Sequence, residues 1–262
     1  MKSIHFAALA ALAALSLAAQ PAPGDLKADD IIKKSIEAQG GLEKIKAIKS
    51  MKSSGKMIMG GGQMEAPITA YMKVPHSSRM EISIQGQKIV EAYDGTTKWM
   101  INPLMGSKDP QKSPDEETKL AADDSDGVEG PLVNYKEKGN TVELLGKEDV
   151  EGSMAYKLKV TLKSGSVRTI FLDEKSFLTV KMITKVKQMG QEFEAEALPG
   201  NYKPVEGVMM PFSTEMKINK QVGMQMQLDK IEVNVPVEDA LFVMPAPEVK
   251  PEVKKVDPPK AQ

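Results

Sequence analysis

Hydrophobic and polar residues alternate along most of this chain with a period of two. Met80, Ile82 and Ile84 are interleaved with Arg79, Glu81 and Ser83. Tyr156, Leu158, Val160 and Leu162 alternate with Lys157, Lys159, Thr161 and Lys163. Phe193, Ala195 and Ala197 follow Glu192, Glu194 and Glu196 in the same way, and Met224, Met226 and Leu228 alternate with Gln225, Gln227 and Asp229. This pattern predicts antiparallel strands with one wet face. Eleven strand-like runs lie near 50–59, 64–74, 79–85, 88–93, 97–101, 141–147, 155–163, 166–173, 178–188, 191–198 and 209–218, with 222–233 as a further candidate. Their even cadence is that of a sandwich or barrel. Gly60-Gly61-Gly62, Gln85-Gly86-Gln87, Asp94-Gly95, Ser164-Gly165-Ser166, Met189-Gly190 and Glu206-Gly207 supply turn chemistry between them. Runs that are neighbours in sequence pair most economically, so a meander is expected.

Three stretches depart from the alternation. Asp29 to Gln39 reads as a helix, with Asp29 as its cap, Ile31, Ile32 and Ile36 as its stripe and Gly40-Gly41 as its end; Leu42, Ile45 and Ile48 then continue at a helical spacing. Residues 103–139 form an acidic insertion without alternation, in which 114–122 and 131–136 are short helix candidates. An insertion of that length inside a meander covers something or moves. Residues 246–262, rich in Pro, Lys, Glu and Val, read as a disordered, partly polyproline tail. At the other end, Lys2, an Ala- and Leu-rich run from Phe6 to Ala19 and small residues before Gln20 read as a cleaved signal peptide over 1–19, too short for a membrane span. No Cys follows it to accept a lipid.

Composition narrows the chemistry. The chain has 262 residues, 35 Lys+Arg against 36 Asp+Glu, a net charge of -1, no Cys and 2 His. The balanced charge gives no footprint for nucleic acid. Disulfides, thiolate metal sites and a cysteine nucleophile are excluded. Asp123-Asp124-Ser125-Asp126-Gly127 looks like part of a calcium loop, but aligning Gly127 with the loop glycine puts Ala122 and Val133 where the two key carboxylates belong. His76 follows Pro75 in a polar turn and reads as a surface histidine, and Glu116-Glu117 read as carboxylates of a loop. We therefore expect no catalytic residue, no metal ligand and no cofactor.

The unusual number is 18 Met against 12 aromatic residues. Met57-Ile58-Met59 and Met224-Gln225-Met226 resemble the thioether pairs that bind Cu(I), but no Cys or His lies near either in sequence, and Met alternating on a strand reads first as an apolar inner face. Met conforms to irregular apolar partners, so a Met-lined face suits a ligand of no fixed shape, such as an acyl chain; it equally suits a core that tolerates Met.

The segment Tyr93-Asp94-Gly95-Thr96-Thr97-Lys98-Trp99-Met100-Ile101-Asn102-Pro103 resembles the V-x-D-G-K-x-x-W-x-Y-N-P segment of the LolA-type outer-membrane lipoprotein carriers. Tyr71-Met72-Lys73-Val74-Pro75 with Arg79, Phe171 to Leu178, Asn201 to Phe212, and Val235 to Pro245 resemble further segments of that family, in the same order, across most of 26–245. Where the family carries an arginine before the proline to hydrogen-bond its lid, this chain has Val74, with Lys73 one residue earlier. The resemblance implies a mainly β (α+β) fold: a half-open, curved antiparallel sheet, an unclosed barrel of about eleven strands with short lid helices on its concave face, occupying 26–245. It implies a non-enzymatic, monomeric periplasmic carrier of lipoprotein acyl chains or lipid, with partner proteins in the inner and outer membranes. The candidate cavity residues are Met57, Met59, Met80, Ile82, Ile84, Trp99, Met182, Met224, Met226 and Leu228. A periplasmic sensing or scaffolding module that holds a protein segment on the same sheet is the alternative.

Overall fold

The computed structural model describes residues 26–188 and 191–246. The signal-peptide reading over 1–19 and most of the tail, 247–262, lie outside the described residues. Thirteen strands form one antiparallel, curved, unclosed sheet. In chain order they are β1 (Ser50–Met59), β2 (Met64–Lys73), β3 (Ser77–Ile84), β4 (Gln87–Tyr93), β5 (Lys98–Asn102), β6 (Ser107–Lys112), β7 (Thr141–Val150), β8 (Ser153–Thr161), β9 (Val167–Asp173), β10 (Thr179–Gln188), β11 (Gln191–Val205), β12 (Val208–Ile218) and β13 (Gln221–Val233). The expected eleven are present. The candidate run 222–233 is β13, and β6 was not anticipated.

Two meanders, β1–β6 and β7–β13, are joined edge to edge by the pairing of β1 with β13. That ladder shifts register between Ser54 and Gly55. A Cβ at Gly55 would lie 2.0 Å from Gln227 O, so the two backbones approach as closely as they do only because that position is glycine. The strand order leaves β6 and β7 as the outer edges. Pro110 sits on β6, where a missing N–H costs no ladder bond to a further strand. β7 exposes Glu143, Lys147, Glu148 and Asp149, charges that discourage edge-to-edge pairing.

This order also dictates what the insertion does. The link from β6 to β7 must travel from one edge of the sheet to the other, and it crosses one face. It carries α3 (Asp115–Asp124) and then a run of turns to Gly139. The second helix expected at 131–136 is therefore absent, and Leu132 and Val133 instead hold the turns against the sheet, 8% and 1% exposed. Two further helices, α1 (Ala28–Gln39) and α2 (Leu42–Ala47), lie on the same face. Ile31 and Ile32 of α1 pack with Leu132 on Leu158, Val160, Ile170 and Leu172; Ile45 of α2 packs with Val133, Met72, Val208 and Met210. Asp29 does not cap α1: Lys27 holds the cap position without a side-chain bond, and Asp29 accepts from Tyr135 Oη and from Lys136 Nζ at 2.8 Å. At Gly40, φ is +128° and a Cβ would lie 2.3 Å from Gly207 O, so the α1–α2 turn is pressed onto the β11–β12 turn.

Candidate functional site

Between the concave face of the sheet and this covering layer lies a cavity of about 410 Å³, within the roughly 300–1,000 Å³ of ligand pockets. Met51, Ile170, Met182, Met210, Leu228 and Ile231 line it from the sheet. Ile36 of α1 and Val128, Leu132 and Val133 of the crossing segment line it from above. Its polar groups are few and mostly engaged. Gln39 Nε2 donates to Val128 O at 3.3 Å, and Tyr202 Oη donates to Thr179 O at 2.8 Å. Burial pushes the Tyr202 phenol well above its ordinary pKa, so it stays neutral. Glu129, at the rim, is paired with Lys138 at 3.4 Å. A wall of this kind offers dispersion and desolvation to an apolar chain, and no charge to orient a polar one.

The same concave face continues under α3, where Met80, Ala70, Met51 and Ala121 enclose about 270 Å³. The covering helix α3 has no fully buried residue. It is tethered at its ends: Glu117 Oε2 lies 3.4 Å from Lys98 Nζ on β5, and Asp124 Oδ1 lies 2.6 Å from Arg168 Nη2 on β9. Arg168 is 3% exposed and is in phase with Ile170 and Leu172, so a cation sits on the inner face of the sheet.

The ten candidate residues separate into four groups. Met182 and Leu228 line the covered cavity, and Met80 lines its continuation under α3. Met57, Met59, Ile82, Ile84, Met224 and Met226 stand on the same face by register, but farther along the strands, and none of them lines either space. Trp99 is a correction: it is on the other face. Its register partners are Ala92 and Lys112, and it packs with Val90, Ala92, Ile101 and Met244. Its indole Nε1 donates to Phe242 O at 2.7 Å and its ring lies 5.6 Å from the Arg79 guanidinium. Trp99 anchors the C-terminal segment to the convex side. Lys73 does the same, donating to Val237 O at 3.0 Å and pairing with Asp239, so it holds no lid.

Sequence reasoning missed the covering half of the cavity. Val128, Leu132 and Val133 are apolar residues within an acidic stretch, and their hydrophobicity was the available signal. Arg168 was also legible in principle, as a cation in phase with an apolar strand face. His76 Nδ1 lies 3.0 Å from Ser125 Oγ. The serine donates its proton to Ala122 O at 2.6 Å, so its oxygen is left to accept from the ring; the pair is exposed and borders neither cavity. It lacks the geometry of a base that activates a nucleophile.

No protein-family model matches the sequence, and no curated protein matches it. Solved structures do match the fold. A DUF1329 family protein from Desulfovibrio piger superposes with a TM-score of 0.55 at 14% identity, over 82% of this chain and 96% of that one. An outer membrane lipoprotein-sorting protein domain from Vibrio parahaemolyticus gives 0.54 at 11% identity, over 80% and 95%. A LolA superfamily protein from Nitrosomonas europaea gives 0.52 at 13% identity, over 84% and 98%. The chain has a LolA-like fold.

Proposed function

We propose that this protein is a periplasmic carrier of lipidated or lipid-like cargo, which it holds between the concave sheet and the crossing segment. The observation that carries this reading is the covered apolar cavity itself. Its sheet wall is Met- and Ile-rich, and the segment that covers it is continuous with α3, which is held by contacts at its ends. A chain that must be taken up and released needs both a dry wall and a cover of low local stability. The likeness of fold to a lipoprotein-sorting protein domain supports the same class of cargo. In this reading residues 1–19 are a cleaved export signal, 26–245 are the carrier domain and 246–262 are a tail. Met182 and Leu228, with Met51, Met210 and Ile231, contact the acyl chain, and proteins of the two membranes load and unload it.

Native mass spectrometry of the protein purified from its own envelope fraction tests this. The expected spectrum contains adducts of one acyl-bearing lipid or lipopeptide, which delipidation removes and long-chain amphiphiles replace. A bare mass, together with no uptake of amphiphiles of any length, would overturn the carrier reading.

A further inference from the structure

The two Met-x-Met segments, 167 residues apart in sequence by the numbering of Met57 and Met224, lie on neighbouring strands and face each other. In the β1–β13 ladder Met57 is opposite Met226 and Met59 is opposite Met224. The second row continues outward to Met64 on β2 and to Met216 on β12. Opposed residues of antiparallel strands share a face, with Cβ atoms ~4.5–5.5 Å apart, and residues two apart on one strand share it too. Six methionines therefore form one block across four adjacent strands, β2–β1–β13–β12. None of them lines the covered cavity. Met57 is 4% exposed, Met64 is 41% exposed, and the others are partly exposed.

Neither strand formation nor packing calls for this block. Strands favour β-branched and aromatic residues, and an apolar wall is specified better by Leu, Ile and Val than by a flexible thioether. What six thioethers share is a soft, neutral sulfur donor that needs no deprotonation. Such donors select Cu(I) and its congeners over the harder divalent ions. The charged residues flanking the block on these strands alternate to the other face and pair there: Lys56 with Glu65 at 2.9 Å, and Lys217 with Glu215 at 3.0 Å. No carboxylate of these flanking pairs shares the face of the sulfurs.

We propose that this block binds a soft monovalent metal ion, Cu(I) or Ag(I), through thioethers drawn from Met59, Met64, Met216 and Met224, with Met57 and Met226 completing the floor. The three rotatable bonds of each side chain let sulfurs from four strands converge on one ion. This site is separate from the cargo cavity and does not depend on the carrier reading.

Ag(I), which is inert to oxidation, is the first probe, added to the purified chain and followed by calorimetry and native mass spectrometry. One ion per chain is expected, and anaerobic competition with bicinchoninate should show Cu(I) in the same site. The double variant Met59→Leu/Met224→Leu keeps an apolar face of similar volume, so its melt should match the native protein while Ag(I) affinity falls about tenfold or more. Met105→Leu, outside the block, should leave affinity unchanged. Methyl spectra of isotope-labelled methionine give a second reading that needs no variant: on adding Ag(I), the shifted signals should be those of the six. No binding by the native chain, equal binding by the double variant, or shifts centred on other methionines would each overturn the proposal. Amphiphile binding by the double variant is expected to be native, so the two readings stand or fall separately.

Discussion

Arg168 shows how one side chain fixes the position of a whole segment. An arginine buried to 3% exposure on an apolar sheet face is costly unless it is paired. Its partner is Asp124, which is half-exposed at the C-terminal end of α3, and the Arg168 Nε has no hydrogen-bond partner. Removing the carboxylate with Asp124→Asn should lower stability by about 1–3 kcal/mol, less than the ~3–5 kcal/mol for a pair buried on both sides. Arg168→Leu removes the buried charge together with its need for a partner, so its stability should stay within about 1 kcal/mol of native although the tether is lost. Urea unfolding of the two variants checks the order; an Arg168→Leu protein less stable than Asp124→Asn would contradict it. At this scale the sequence was legible where periodicity applies. That Tyr156, Leu158, Val160 and Leu162 share one face follows from alternation alone. The side that Trp99 takes does not, because alternation says which residues share a face and not which face is concave. The choice was decided by Phe242 and Met244, distant residues that cover the convex side.

Helices and the crossing segment are legible to a different degree. α1 follows from its stripe and its glycine end. β6, Ser-Lys-Asp-Pro-Gln-Lys, was hidden because it has no apolar alternation and carries Pro110, which an edge strand tolerates. The crossing segment looked mobile because its charges outnumber its apolar residues, yet Leu132 and Val133 are buried. Its two parts should therefore behave differently. No residue of α3 is fully buried, and Asp123 and Asp124 at its C-terminal end oppose the helix dipole, an opposition that Arg168 offsets. In hydrogen exchange at neutral pH, amides of α3 should exchange far faster than those around Leu132 and Val133, and a long-chain amphiphile should slow α3 most. Acid should loosen α1. The hydrogen bond from Lys136, and then that from Tyr135, holds the Asp29 carboxyl below its ordinary pKa. A depressed carboxylate stabilises the fold above its unfolded pKa of about 3.9 and loses that contribution as pH falls through the folded value. Because the pair is exposed, solvent screens its contribution and keeps it small. Exchange over residues 28–39 should thus rise, relative to β8 and β9, only below about pH 4. Uniformly slow exchange across α3 would make the segment a brace and not a cover.

For the whole molecule, the defining contact is the one that local patterns predict least. Hairpins generate eleven of the twelve neighbour relations in the sheet; the twelfth, β1 with β13, brings together residues such as Met51 and Val233. That pairing turns two meanders into one curved sheet, and the edge-to-edge link then has to cross its hollow. A cavity between sheet and crossing segment is thus a consequence of topology, and its apolar lining is a property of the sequence. The two can be separated by where a charge is tolerated. Leu228 lines the cavity, is partly exposed, and belongs to none of the packed clusters of buried residues. Ile170 lines the same cavity but is 3% exposed and packed in the cluster that holds α1. In Leu228→Glu the carboxylate can be hydrated from the cavity, so the domain should fold with a loss of about 1–3 kcal/mol while long-chain amphiphile binding is abolished. In Ile170→Glu the charge enters close-packed surroundings without a partner, and the domain should unfold or nearly so. Thermal melts and an amphiphile-binding assay on both variants decide the matter. A folded Leu228→Glu protein that still binds amphiphiles at native affinity would place the cargo elsewhere on the sheet. Unfolding of both variants would mean that the 410 Å³ space is closed to water and belongs to the core.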